Sequence, residues 1–200
     1  MCHFYYNHIL NTYFIKDNHI AYTCYLKFIQ LVSEKNYYMN YGLWGKKNNT
    51  LIKANKHLAR VVFQKAVQER KNNQVYNILD VGCGYGAQDF LLKKKLKLSQ
   101  DAFHITAIDI SEKQIIYANK KKERLNIKNK SLTFEICDAM KIVEKYKENS
   151  FDAVISLESA FHYGNRPYFF NQVYHILNEE GTFVISDIML SDDYKSSVIF

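Results

Sequence analysis

Three aspartates, each at or near the end of an apolar run, are the residues of this chain best suited to hold a polar ligand. Asp80 comes two residues before a cluster of glycines, and Asp109 and Asp138 end later runs that are rich in β-branched side chains. Carboxylate oxygens accept hydrogen bonds from hydroxyl and amine groups. In open α/β sheets, ligands bind beyond the carboxyl ends of the strands. The spacing therefore predicts one binding site built from three strand ends.

The glycine cluster Gly82-x-Gly84-x-Gly86 predicts a sharp turn from a strand into a helix. Without a Cβ, the backbone can turn tightly and approach a ligand closely, and the helix that follows directs free amides at an anionic group. The pattern is typical of a nucleotide-binding loop. It also fits the loop of dinucleotide dehydrogenases, but that match is weak alone. Asp80 argues against it, because a carboxylate there would repel a pyrophosphate and favours a ligand with a positive charge.

The elements that must position these residues alternate between strand and helix. The apolar runs predict five strands, over 78–81, 103–110, 132–139, 151–157 and 182–188. Helices are predicted from Thr50 to about 71, over 88–98, over 112–125 with Ser111 as the cap, and from Pro167 to about Asn178, with Gly181 in the turn that follows. This alternation predicts a parallel sheet covered on both faces. Residues 21–34 have the spacing of an amphipathic helix.

Length and composition indicate a single globular domain with an N-terminal extension. The chain has 200 residues, of which 48% are hydrophobic. We predict a helical extension or lid over residues 1–50, which includes Tyr41 and Trp44, and a ligand-binding domain over 51–200. No apolar run approaches the length that spans a bilayer, and the N-terminus lacks a secretory signal pattern. The four scattered cysteines disfavour a disulfide framework or a metal site and fit a cytoplasmic protein.

The net charge of +7 leaves two interpretations of the lysine clusters. They are solvated helix surfaces, or they form an electrostatic footprint for nucleic acid. No aromatic side chains are interleaved with the lysines as a stacking platform. We therefore favour solvated surfaces and expect no nucleic-acid partner.

The stretch Leu79–Gly86 resembles motif I of the class I S-adenosylmethionine-dependent methyltransferases. Asp109 resembles the acid that this family uses on the ribose, and Asp138-Ala139-Met140 its adenine-binding position; 151–156 and 176–183 resemble its fourth strand and the entry to its fifth. The resemblance implies a Rossmann-like, doubly wound, mainly parallel sheet and S-adenosylmethionine as cofactor. It implies cofactor contacts from Tyr41, Trp44, Asp80, Gly82, Cys83, Gly84, Gly86, Asp109, Ile110, Gln114, Asp138, Ala139, Met140, Leu157, Glu158 and His162.

Within this family, the pattern after the fourth strand is similar to small-molecule enzymes, and above all to sugar O-methyltransferases. In those enzymes a histidine after the fourth strand and an acid ending the fifth are implicated in deprotonating a hydroxyl, which implies His162 as base and Asp187 as its orienting or substrate-binding partner. The sugar enzymes carry that histidine at the place of Phe161 here, so His162 would take its role. Glu158 contacts acceptor or cofactor, or stays in solvent.

The predicted function is methyl transfer to a small-molecule hydroxyl or amine by in-line displacement. The resembling fold has seven strands, and this chain has sequence for five, so the sheet is expected to lack the last two. Two alternatives stay open, a non-catalytic S-adenosylmethionine-binding protein and an RNA methyltransferase. An unpaired fifth strand would also leave an edge that can pair with a partner, such as a second copy in a homodimer.

Overall fold

The computed structural model describes residues 36–68, 75–95, 102–128 and 131–187. Within them, the fold is a five-stranded sheet with helices on both faces. The strands are β1 Tyr76–Val81, β2 Phe103–Asp109, β3 Leu132–Ile136, β4 Phe151–Leu157 and β5 Leu177–Ser186. The helices are α1 Leu51–Ala66, α2 Ala87–Lys95, α3 Glu112–Arg124, α4 Ile142–Lys145 and α5 Arg166–Ile176, with short 3₁₀ turns at Ala139–Lys141 and Ala160–His162. The helix predicted over 21–34 lies outside the described residues.

All strands of the sheet are parallel, in the order β3-β2-β1-β4-β5. The chain therefore runs outward from β1 on one side and then returns to its other side at β4. This reversal opens a crevice beyond the carboxyl ends of β1 and β4, which is the ligand position of doubly wound sheets. The prediction of a Rossmann-like, doubly wound parallel sheet is confirmed.

Two apolar cores cover the two faces of the sheet. On one face, α1, α2 and α3 pack on alternate residues of the central strands, with Ile78 and Ile105 fully buried. On the other face, α4 and α5 pack on Leu79 and Val81, and Phe169 of α5 is fully buried. Asp80 shares the face of Ile78, since side chains alternate along a strand. Its carboxyl therefore points toward α2.

Several predicted boundaries shift for local reasons. α1 ends at Ala66 rather than near residue 71, because Val67 leaves the helical conformation. β3 ends at Ile136, because Asp138 caps a 3₁₀ turn through the Met140 N–H. Ser111 occupies the N-cap position of α3 without a side-chain cap bond among the described residues.

The fifth strand begins earlier than predicted and contains an irregularity. Its pairing with β4 jumps from Leu177 opposite Phe151 to Thr182 opposite Ala153. Residues 178–181 therefore bulge out of the ladder, and Gly181 lies in this bulge rather than in a free turn. In the described part of the chain, no helix is long and apolar enough to cross a membrane.

Candidate functional site

The glycine loop connects β1 to α2 in left-handed backbone conformations. Gly82, Gly84 and Gly86 have φ values of 79°, 58° and 69°, which side chains rarely adopt. A Cβ on Gly82 would lie 2.4 Å from the Ser159 side chain, and one on Gly86 would lie 2.4 Å from the Phe134 ring. The first and third glycines are therefore required by packing within the protein as well as by the turn.

Asp109 lies at the end of β2, directly beside this loop. Its carboxyl accepts the N–H of Gly84 at 2.9 Å and the N–H of Ser111 at 2.8 Å. Burial raises the pKa of Asp109, and the two backbone N–H groups oppose that shift. The next residue, Ile110, is 60% exposed and offers an apolar surface at the mouth of the crevice. Gln114, on the first turn of α3, is buried.

The third strand end contributes Asp138, Ala139 and Met140. Asp138 accepts the Met140 N–H through Oδ1 at 2.8 Å, which holds the turn at the edge of the crevice. Ala139 is buried, and Met140 packs against the second core. The backbone N–H of Cys137 donates to the carbonyl of Asp109 at 3.1 Å, so the ends of β2 and β3 are held together.

Asp80 is completely buried beneath the glycine loop. Its Oδ2 accepts from Gln88 Nε2 at 2.9 Å, and the same nitrogen donates to the carbonyl oxygen of Cys83 at 3.2 Å. Asp89, also completely buried, contacts the Asp80 carboxyl. Burial raises the pKa of Asp80 to about 7, and it raises the pKa of Asp89 well above its usual value. The sequence identified Asp80 as a site residue and missed Gln88 and Asp89.

A segment from Tyr37 to Trp44 lies across the loop. The Tyr37 ring lies 5.2 Å from that of Tyr85 in the loop and 4.5 Å from that of Tyr117 on α3. The Met39 sulfur lies 3.1 Å from the Cβ position of Gly84. This segment thus contacts both the loop and α3, which predicts a cover over one wall of the crevice.

The same segment reaches the end of β4. The backbone N–H of Tyr41 donates to Glu158 Oε2 at 2.6 Å, and Trp44 Nε1 donates to the Tyr41 carbonyl at 2.9 Å. Both aromatic side chains are exposed, and the Met39 sulfur accepts from Gln114 Nε2 at 3.4 Å. The contacts of this segment therefore extend from the β2 side of the crevice to its β4 side.

Titratable side chains gather where β4 and β5 end. Burial raises the pKa of Glu158 to about 7, and the charge of Asp187 adds to that shift. Asp187 forms an ion pair with Arg166 at 3.4 Å. The His162 side chain reaches solvent with its ring against Phe161, 3.9 Å between centroids. Partial burial lowers the pKa of His162, and the Asp187 charge opposes this.

A small network of hydroxyl groups lies at the turn after β4. Ser159 Oγ donates to the carbonyl of Val81 at 2.9 Å and lies 2.9 Å from Ser156 Oγ and 3.0 Å from the Tyr163 hydroxyl. Glu158, one residue before it, has a φ of 50°, which is unusual for a residue with a side chain. The network fixes the turn after β4, while Leu157 is buried as the last strand residue.

The structure brings the predicted site residues together around one crevice. The three strand-end acids, the loop and the β4–β5 cluster all lie at the carboxyl edge of the sheet. Cys83 and Cys137 are buried free thiols, in accord with their interpretation as small packing residues. Sequence reasoning missed Tyr85, Tyr117 and Asp89. The last of these stands seven residues after Gly82, where its position in the first turn of α2 was a signal.

A family model described as a methyltransferase domain matches residues 72–198 of the chain. The match spans more than half of the sequence and includes the loop and all three strand-end acids. The chain belongs to this methyltransferase domain family. The prediction that the chain is a methyltransferase is thereby confirmed at the level of the domain family.

Individual relatives of this methyltransferase domain act on different acceptors. Erythromycin 3''-O-methyltransferase of Saccharopolyspora erythraea is 32% identical over 155 residues, which are 78% of this chain and 47% of that protein. Phosphoethanolamine N-methyltransferase 1 of Arabidopsis thaliana is 32% identical over 120 residues, 60% of this chain and 22% of that protein. The chain thus spans about half the length, or less, of these curated relatives.

Solved structures agree on the fold. Geranyl diphosphate methyltransferase in complex with S-adenosylmethionine superposes with a TM-score of 0.62 at 15% identity, covering 76% of this chain and 62% of that one. At this identity the similarity concerns the fold alone.

The residues of the crevice fit S-adenosylmethionine. The cofactor combines a ribose, an adenine, a sulfonium and an amino acid end. Asp109 keeps acceptor capacity beyond its two backbone bonds, since a carboxylate has about four acceptor positions. Ile110 offers an apolar face beside it, and the buried Asp80 has an Oδ1 without a hydrogen-bond donor among the described residues. The last feature suits a cationic group nearby.

Proposed function

We propose that this methyltransferase domain transfers a methyl group from S-adenosylmethionine to a small-molecule hydroxyl or amine. The observation that carries the proposal is the cluster of Glu158, His162 and Asp187 at the β4–β5 edge. It lies at the same sheet edge as the glycine loop and combines acid, base and charge near solvent. When bound, the cofactor supplies an activated methyl group, so the protein contributes mainly positioning and proton transfer.

The cofactor contacts are proposed for the residues around the crevice. Asp109 would hold the ribose hydroxyls, with Ile110 against the adenine and Asp138 at its edge. The loop glycines and Asp80 would meet the amino acid end. The segment Tyr37–Trp44 would act as a lid whose aromatic faces favour a sulfonium cation.

His162 is the proposed base for a hydroxyl acceptor. Its lowered pKa keeps the imidazole neutral at pH 7, which is the form that accepts a proton. The Asp187 charge stabilises the imidazolium once the proton has moved. With an amine acceptor, the same imidazole takes the proton that the nitrogen must lose.

Calorimetric titration with S-adenosylmethionine and with NAD tests the cofactor assignment. We expect binding of the first and none of the second, and we expect Asp109→Ala to weaken binding at least tenfold, the effect of losing about 1.4 kcal/mol. Binding of NAD alone, or unchanged affinity in Asp109→Ala, would overturn the assignment.

Turnover is tested with panels of hydroxyl and amine acceptors and with His162→Ala. Loss of about 100-fold or more in turnover, with cofactor affinity retained, is the expected result for a general base. Wild-type turnover in His162→Ala would remove the base role. Cofactor binding without methylation of any acceptor, small molecule or RNA, would favour a non-catalytic binding protein.

The remaining proposals concern the location of the protein and its binding partners. We propose a cytoplasmic location, which the scattered cysteines support. We expect no nucleic-acid partner. A homodimer through the β5 edge is tested by the mass of the protein in solution.

A further inference from the structure

The buried polar groups between β1, α1 and α2 are the feature of the fold that the proposed reaction does not use. Asp80 and Asp89 are both 0% exposed. Counted as ionised carboxylates, Asp80 Oδ1 and both oxygens of Asp89 have no hydrogen-bond donor among the described residues. Two buried carboxylates in contact repel each other strongly. One proton between the two carboxyl groups supplies the missing donor and removes that repulsion.

The contacts of Gln88 show that hydrogen-bond donors are favoured beside the Asp80 carboxyl. Its Nε2 donates to Asp80 Oδ2 at 2.9 Å and to the Cys83 carbonyl at 3.2 Å. Two acceptors, one of them a carboxylate oxygen, thus converge on one nitrogen next to the loop. An ammonium group has the same hydrogen-bonding character and adds a positive charge. The neutral amide satisfies the acceptors without balancing a negative charge.

We propose that Asp80 and Asp89 share one proton in the free protein, and that binding of the cofactor's ammonium group beside Asp80 releases that proton to solvent. The ammonium keeps its own protons, so the net change is one positive charge bound beside Asp80 and one proton released from the pair. Asp89 is then a positioning residue, which sets the charge of Asp80 without touching the cofactor. This inference rests on the proposed cofactor.

The other titratable groups near the pair do not replace it as the source of the proton. Burial raises the pKa of Cys83, Tyr38 and Tyr163, so all three stay neutral up to pH 8 with or without ligand. Burial raises the pKa of Asp109, the third acid facing Asp80, and its two backbone N–H donors oppose that shift. A variant at Asp89 separates the pair from Asp109.

The test is calorimetry of S-adenosylmethionine binding at pH 6.5 in buffers with different ionisation enthalpies, which counts the protons released. At this pH the cofactor's amino group is already protonated. We expect about one proton for the wild type and for the exposed-site control Glu148→Gln, and close to zero for Asp89→Asn. Equal release by the wild type and Asp89→Asn, or none by the wild type, would overturn the inference.

Two further measurements keep the inference testable without the variant. The ligand 5′-methylthioadenosine, which has the nucleoside but no ammonium group, should bind without proton release. In the wild type, infrared difference spectra should show a protonated carboxyl band that disappears when S-adenosylmethionine is added. Persistence or absence of that band contradicts the shared proton. Failure of S-adenosylmethionine to bind at all would instead overturn the proposed function, and the band in the free protein would still report on the pair.

Discussion

Asp89→Asn should change how the stability of the free protein depends on pH. Folding buries both carboxyls of the Asp80–Asp89 pair and raises their pKa values, that of Asp80 to about 7. The unfolded chain releases both protons near pH 4, whereas the folded protein retains the one proton that the pair shares. The folded state therefore binds more protons, and the free energy of unfolding falls as the pH rises from about 4 to about 7.

The size of this pH dependence follows from the number of protons that the folded protein retains. Each retained proton changes the free energy of unfolding by about 1.36 kcal/mol per pH unit. Asparagine at position 89 removes one titrating group and supplies a permanent N–H donor to Asp80. From pH 5 to pH 7, the unfolding free energy of the variant minus that of the wild type should therefore increase by about 2–3 kcal/mol.

Urea denaturation at pH 5, 6, 7 and 8 measures this difference. The exposed-site variant Glu148→Gln is the control, and its stability should run parallel to that of the wild type. Parallel curves for Asp89→Asn and the wild type would refute the argument, because they would mean that Asp89 is ionised in the folded protein.

Three further changes test other parts of the structure. Gly86→Ala should lower the free energy of unfolding by about 2–4 kcal/mol, because the backbone is left-handed and the Phe134 ring lies 2.4 Å from the new Cβ. The control Gly164→Ala has open space at its Cβ and should lower it by under about 0.5 kcal/mol. Equal losses in urea denaturation would contradict this prediction. Phe169→Ala should lose about 3–5 kcal/mol by the same method, because a fully buried ring leaves a cavity, and a loss under about 1 kcal/mol would contradict its burial. After correction for intrinsic rates, the Tyr41 amide should become about fivefold better protected from hydrogen exchange as the pH rises through 7 and Glu158 ionises. In Glu158→Gln this pH dependence should vanish. If it persisted, the hydrogen bond from the Tyr41 N–H to Glu158 would be contradicted.

The sheet could be predicted from sequence because its strands are buried on both faces and are therefore continuous apolar runs. The fourth strand, Phe151–Leu157, matches its prediction at both ends. The errors lie where tertiary contacts determine the backbone. Before its bulge, the fifth strand pairs with Phe151 through Leu177. The spacing of apolar residues along the sequence does not indicate such a long-range pairing.

The positions of the candidate site residues could be predicted as far as these residues lie at strand ends. Asp80, Asp109 and Asp138 follow from that rule and do meet at one edge. The contacts of Tyr37 with Tyr85 and Tyr117 could not be predicted, because they join positions 48 and 80 residues apart in a sequence with many tyrosines. The position of Asp89 in the first turn of α2 was a signal in the sequence, but the burial of both its oxygens could not be predicted, since it depends on how α1 and α2 pack.

The different surroundings of the two acids nearest the loop lead to a division of roles. Asp109 receives two backbone N–H groups, which are fixed by the fold and favour its ionised form. Asp80 receives one neutral side-chain amide and contacts a second acid, so we expect its charge to depend on the ligand that is bound beside it. Recognition of the ribose should therefore be nearly independent of pH between 6 and 8, and recognition of the ammonium should not. Nucleosides without the amino acid end, compared with the whole cofactor across this range, separate the two contributions. If both ligands showed the same pH dependence, the charge of Asp80 would be fixed and the division would be wrong.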